Sequence, residues 1–284
     1  MQKRVVLDSP HLSELRKKRK DIFKKKIILY FSGIGVFFVI FCVLSYLPFF
    51  KIKEIQINGV KILEIQEIKD NINIKLKNHF SIFSKKNIFL YPKNKISNYL
   101  NNIPRVKDYK IYREGLNKII IDITERGNKF IWCKDFNFDF KNQCYFMNDE
   151  GYILDIAPYF SGNVYFKFFG PLTKENNIPI GSYFIQDIFK NISIFKNNLE
   201  QINIKPVYFL LNENKEIEIY LEKKSDNVES PKIIMNYDSD FDKTFKNLQV
   251  ALETEPLAGD FKNKYSSLLY IDLRYGNKVY YKFK

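Results

Sequence analysis

Ser193-Ile-Phe-Lys196 sets a hydroxyl and an amine three residues apart, neighbours on one face if the segment is helical. In that arrangement the amine takes the serine proton and the alkoxide attacks a carbonyl, which is acyl transfer. Ser225-Asp-Asn227 and Lys243-Thr-Phe245 follow in the order that such a serine acyl-transfer set requires. Three features oppose this chemistry. Phe245 stands where the third motif needs a glycine, whose missing side chain lets a substrate strand lie close. Ser225 follows Lys196 by only 29 positions, filled by two candidate strands, which leaves no room for a helical lobe. Ile194 and Phe195 belong to a dense Phe/Ile stripe that reads as core. The two histidines, His11 and His79, are far apart in the chain. No His/Cys/Asp cluster has metal-ligand spacing, and no phosphate-cradling glycine loop or Gly-x-Ser-x-Gly elbow occurs. No cofactor or metal is expected. Asp272 and Arg274 alternate in a candidate strand and share a side. An acid and a base so placed could move a proton, but pairing with neighbouring turns or helices is the simpler reading, and Glu125-Arg126 is judged alike. Cys133 and Cys144, eleven apart around a polar loop, could close a hairpin as a disulfide or stay as two buried thiols.

The stretch that organises all of these is Ile27 to Phe50, which carries no charge. Its 21 residues before Pro48 span roughly 31 Å as a helix, about the hydrocarbon thickness of a bilayer. It is apolar all round, so it reads as a membrane span and not as a buried helix, with Cys42 as packing. It is too long for a signal-peptide core and no small-residue cleavage site follows. Residues 1–26 carry ten Lys/Arg against three acidic residues, which places that tail in the cytoplasm and residues 51–284 outside. The tail itself reads as solvated and partly disordered. Half of the net charge of +14 is thereby a topology signal; the rest is spread thinly, and nucleic acid is not an expected partner.

Beyond the span, Ile55 and Ile57 alternate into an Asn58-Gly59 turn, a strand. Ile65, Ile68, Ile72 and Leu76 recur at helical spacing, and Pro92 opens a second helix bearing Ile96, Leu100 and Ile103. Strands follow at Val106–Arg113 and Lys118–Arg126 around Gly115. The order strand, helix, helix, strand, strand is a small α+β module over residues 51–126. From Gly127 the texture changes to short aromatic strands, at Phe130–Cys133, Cys144–Met147, Tyr152–Leu154, Val164–Phe169, Pro206–Leu211, Glu216–Glu222, Lys232–Asn236, Leu268–Leu273 and Lys278–Lys284. Two helices interrupt them. One carries Phe184, Ile188, Ile192, Phe195 and Leu199; the other, capped by Ser239, carries Phe241, Phe245, Leu248 and Leu252. In the last strand Lys278, Tyr280, Lys282 and Lys284 share one face, and Val279, Tyr281 and Phe283 the other.

Three stretches resemble the FtsQ/DivIB cell-division family. Ile103-Pro-Arg-Val-Lys-Asp-Tyr-Lys-Ile-Tyr-Arg113 with Lys118-Ile-Ile-Ile-Asp-Ile-Thr-Glu-Arg126 is similar to the signature ending that family's POTRA module. Asn148-Asp-Glu-Gly-Tyr-Ile-Leu154 is similar to the hairpin opening its β domain, and Tyr270-Ile-Asp-Leu-Arg-Tyr275 to its late Asp-Leu-Arg-Tyr strand. Gly115-Leu116 and Gly127 depart from the family's usual prolines. The resemblance implies a basic tail (1–26), one membrane helix and its exit (27–50), a POTRA-like domain (51–126) and a β domain (127–284). It implies a non-enzymatic scaffold of the bacterial divisome, single-pass in the cell membrane at the septum, with partners of the FtsB/DivIC and FtsL coiled-coil type. Docking by strand addition would fall on Arg274, Tyr275, Lys278, Val279, Tyr280, Tyr281, Lys282 and Phe283. A membrane-tethered cell-wall transpeptidase using Ser193 and Lys196 is the alternative. An outer-membrane assembly factor is disfavoured, since no set of amphipathic barrel strands follows the module.

Overall fold

The computed structural model describes residues 10–77, 84–136, 143–160, 163–172, 178–223 and 229–284. Helix α1 runs from Pro10 to Ser45 without a break. The basic stretch from Arg16 to Lys26 is therefore helical, and residues 1–9 of the tail lie outside the described residues. Lys and Arg are good helix formers, and no glycine interrupts the chain before Gly33. At the other end the helix stops at Ser45 because Pro48 restricts Leu47 and opens a single 3-10 turn, Pro48–Phe50. The charge-free helical part, from Ile27 to Ser45, is roughly 28 Å long. Among the described residues this is the one helix long and apolar enough to cross a membrane, and none of its apolar window is covered by protein.

Contacts divide the chain into two compact units, residues 1–100 with 108–123, and residues 101–107 with 124–284. The first holds β1 (Glu54–Asn58), α2 (Ile65–Leu76), α3 (Lys93–Asn101, but for its last residue) and a three-stranded sheet of order β1-β3-β2. There β2 is Val106–Glu114 and β3 is Lys118–Glu125. β1 runs parallel to β3, with Ile55 opposite Ile119 and Ile57 opposite Ile121. β3 is central and buried on both faces, so Ile120 is buried along with Ile119, Ile121 and Ile123. Ile68, Ile72 and Leu76 of α2 and Ile96 and Leu100 of α3 are buried too. Ile65 is exposed, because it sits at the first position of α2.

The second unit contains a nine-stranded sheet of order β12-β11-β10-β9-β8-β7-β4-β5-β6. Its strands are β4 (Phe130–Cys133), β5 (Cys144–Met147), β6 (Ile153–Ala157), β7 (Lys167–Phe169), β8 (Pro206–Leu211), β9 (Glu216–Leu221), β10 (Lys232–Asn236), β11 (Leu268–Tyr275) and β12 (Lys278–Phe283). Helix α4 (Phe189–Gln201) connects β7 to its parallel neighbour β8. Helices α5 (Phe241–Glu253) and α6 (Leu257–Asn263) connect β10 to its parallel neighbour β11. Parallel neighbours need such crossovers. The main core lies between the sheet and α4 and α5, and is packed with Trp132, Phe168, Phe184, Phe189, Phe195 and Phe209.

Three expectations are corrected. α4 begins at Phe189, not at Phe184; Phe184 and Ile185 are buried in the preceding loop, where Ile185 has φ +38°. α5 is capped by Asp240, whose Oδ1 accepts from Lys243 N at 3.1 Å, and not by Ser239. The short α6 adds a third helix to the two that periodicity predicts.

Candidate functional site

β11 and β12 form a hairpin at the end of the large sheet. The turn is Gly276-Asn277, with Tyr275 opposite Lys278 and Gly276 at φ +67°. Asn247 Nδ2 of α5 donates to Gly276 O at 2.8 Å and holds the turn against the helix layer. Val279, Tyr281 and Phe283 are half-buried and pack on the core that contains Phe245 and Leu248. Lys278, Tyr280 and Lys282 point the other way and are exposed.

Among the described residues β12 is the outermost strand of this sheet and pairs only with β11. Lys284 N donates to Ser267 O at 2.8 Å, so the amide of Lys284 points into the sheet. Amide direction alternates along an antiparallel strand. The amides of Lys278, Tyr280 and Lys282 therefore point inward, and those of Val279, Tyr281 and Phe283 point to the open edge. The sheet thus ends in a row of three outward donors flanked by tyrosines. Tyr275 and Tyr280 are about half exposed, with ring centroids 5.1 Å apart and planes at 79°.

Arg274 differs in character from the rest. Its Nε donates to Asp272 Oδ1 at 2.9 Å and its Nη2 to Asp272 Oδ2 at 2.6 Å, while Nη1 donates to Glu216 of β9. Asp272 is 5% exposed. The guanidinium thereby ties β11 to β9 across β10, and its partners are strand residues where turns or helices were expected. Hydrogen bonds from Asn212 and Arg274 hold the Glu216 carboxyl below the usual range. A depressed carboxyl stabilises the fold above its unfolded pKa and loses that contribution as pH falls through the folded value. Arg274→Ala is expected to cost about 2 kcal/mol, less than a fully buried pair because the side chain is partly open to water, and to flatten the acid limb of the stability profile. Urea denaturation across acidic pH measures both.

Cys133 and Cys144 face each other across β4 and β5 and are joined as a disulfide. Asn148 Oδ1 accepts from Glu150 N and Tyr152 N, at 3.0 and 2.8 Å, and closes the turn before β6. Sequence reading missed one feature of the sheet face away from α4 and α5. Tyr208 and Tyr220 stack there with centroids 4.4 Å apart, in a trough of about 920 Å³ that Tyr270 and Lys232 also line. The signal was present in the alternation of β8 and β9.

A family model described as "POTRA domain, FtsQ-type" matches residues 50–126. Cell division protein DivIB of Clostridium tetani (strain Massachusetts / E88) is 27% identical over 220 residues, covering 75% of this chain and 74% of its own length. The matched residues hold the β-α-α-β-β module. Residues 50–126 are thus an FtsQ-type POTRA domain, in a chain similar to a DivIB cell division protein. Among the described residues, Ser193 and Lys196 of the acyl-transfer set are not paired with each other. Ser193 Oγ is buried with no hydrogen-bond partner among the described residues. Lys196 Nζ pairs instead with Glu200 at 2.7 Å and lies 5.4 Å from the Phe166 ring centroid. Thr244 is buried in the first turn of α5, and Ser225 to Asn227 lie outside the described residues, as does His79. No group of three metal-ligating side chains occurs among the described residues.

Proposed function

We propose that this chain is a membrane-anchored, non-enzymatic scaffold of bacterial cell division. In this reading the basic end of α1 is cytoplasmic and both units stand outside the cell membrane at the septum. The segments would be a tail (1–26), a membrane helix and exit (27–50), a POTRA-like domain (51–126) and a β domain (127–284). The observation that carries the reading is the β12 edge, unpaired among the described residues, in a chain similar to cell division protein DivIB. A partner of the FtsB/DivIC type, with an FtsL-type coiled coil beside it, adds a strand there. Backbone bonds to the amides of Val279, Tyr281 and Phe283 supply affinity, and Tyr275, Tyr280, Lys278 and Lys282 supply selectivity. Arg274 acts from behind by holding β11 in place.

Val279→Pro tests this directly. The outward direction of the Val279 amide means that proline removes a donor offered to the partner while leaving the β11–β12 ladder paired. Partner affinity should fall about tenfold or more, with the thermal transition of the second unit little changed. A photo-crosslinker at Tyr280 should capture the coiled-coil partner in cells from the parent and lose it in Val279→Pro. Unchanged affinity would remove β12 as the docking strand. The non-enzymatic part is tested separately: a fluorescent β-lactam should leave the chain unlabelled, since Ser193 lacks a base. A covalent adduct abolished by Ser193→Ala would restore the transpeptidase reading.

A further inference from the structure

The end of α1 is fastened to the first unit. Ser45 is 4% exposed, although the rest of the apolar helix is uncovered. Asn87 Nδ2 donates to Ser45 O at 3.0 Å, and Ser84 N to Ser45 Oγ at 3.4 Å. Ile88 N donates to Phe50 O and Ile52 N to Lys86 O, each at 2.8 Å. Asn87 is itself buried. The segment from Ser84 to Leu90 is thus held against the exit of α1 by bonds at three successive points.

Around this junction the surface is unusually apolar. Phe49 is 66% and Phe89 57% exposed, and Leu47 and Leu90 are exposed beside them. Phe50 links the two phenylalanines, at centroid distances of 5.5 Å to Phe49 and 5.8 Å to Phe89. Cations rim the patch: the Arg113 guanidinium lies 5.3 Å from the Phe89 ring centroid, and Lys86 is exposed. A cluster of this kind on a lone soluble surface marks a binding face.

We infer that this patch is a lipid-binding face seated in the outer leaflet, with Phe49 and Phe89 at headgroup depth. The inference rests on the reading of α1 as a membrane span. Depth decides the occupant. With Lys26 at one interface, the charge-free part of α1 is roughly 28 Å long and brings Ser45 to the opposite one. The headgroup layer on each side is about 5–8 Å thick. Residues hydrogen-bonded to Ser45 therefore lie within or beside that layer, where phenylalanine rings enter the acyl boundary and Lys86 and Arg113 meet lipid phosphates. The patch also continues the uncovered surface of α1, with no polar gap at the exit. A second copy of the chain or another protein would need to reach the same depth and displace lipid.

The test uses the full chain in phosphatidylcholine/phosphatidylglycerol vesicles with tryptophan reporters. Phe89→Trp is read as the difference from the parent, whose single Trp132 is buried in the other unit. Phe37→Trp, in the middle of the span, is the control. In the expected result, Phe89→Trp emission is blue-shifted, is quenched by lipids brominated near the headgroup, and resists iodide, while Phe37→Trp is quenched best by lipids brominated deep in the chain. If Phe37→Trp is quenched but Phe89→Trp stays accessible to iodide, the span stands and the lipid-binding face is overturned. A blue shift at Phe89→Trp that grows with protein-to-lipid ratio and ignores brominated lipid also overturns it, in favour of a protein contact. If Phe37→Trp itself escapes quenching, the span reading falls and this inference falls with it.

Discussion

Replacing Asp155 with alanine is expected to lower the thermal midpoint of the second unit by roughly 6–12 °C, the equivalent of about 3 kcal/mol. The Arg105 side chain is 3% exposed and, among the described residues, pairs with the Asp155 carboxylate. Both Nε and Nη2 donate to Asp155 Oδ2, and Nη1 donates to Asn128 Oδ1 at 3.0 Å and to Arg126 O. Without the carboxylate a buried guanidinium keeps two neutral acceptors and no counter-charge. Breaking a buried pair from one side costs about 3–5 kcal/mol, and the low end applies because Asp155 is partly open to water. The sign of a second measurement separates this cause from loss of packing. Arg105→Leu combined with Asp155→Ala removes the stranded charge and should recover part of the lost stability. Trp132 emission in detergent-solubilised full chain follows the transition, because that ring is buried in the same unit. A double variant less stable than Asp155→Ala alone would show that packing around the arginine, not charge, sets the cost.

Arg105 also marks where sequence reading stops. It lies in Ile103-Pro-Arg-Val, a stretch that resemblance makes visible, but nothing local says that its partner is Asp155, fifty residues on. The same holds for Arg274. Its neighbour Asp272 is two residues away and could be anticipated, whereas Glu216 becomes a partner only once β10 has inserted between β9 and β11. Local elements were legible because each leaves a period. Ile68, Ile72 and Leu76 repeat as a helix, and Lys278 to Phe283 alternate as a strand. Helix boundaries were less legible, since Ser239 and Asp240 are both good caps and only the bond to Lys243 N chooses between them. The open edge of β12 is a property of sheet order, and parallel pairings such as β10 with β11 join residues too distant for any periodic signal. The inward and outward amides of β12 follow from that order. They make Val279→Pro the removal of one outward donor.

Gly59→Ala is expected to destabilise the first unit by about 3 kcal/mol or more. Gly59 closes the turn after β1 at φ +81°, where an L side chain already costs about 1–2 kcal/mol. Worse, a Cβ built there would stand 2.1 Å from Ile123 O, a backbone atom of the central strand. A flexible side chain could swing aside; a carbonyl in β3 cannot move without disturbing its neighbours on both sides. The turn is also pinned by its predecessor, since Asn58 Nδ2 donates to Asp122 Oδ1 at 2.9 Å. Relief must therefore come from displacing β1, which breaks the Ile55 to Ile119 and Ile57 to Ile121 register that builds the core. Gly115→Ala is the matched control. Gly115 has φ +64°, but nothing lies within 4 Å of its Cβ position, so it carries the conformational cost alone, about 1–2 kcal/mol. Hydrogen exchange of the β1 and β3 amides should accelerate strongly in Gly59→Ala and modestly in Gly115→Ala, while Trp132 keeps its parental transition in both. Equal effects at the two glycines would mean that backbone conformation, and not the contact with Ile123, makes Gly59 necessary.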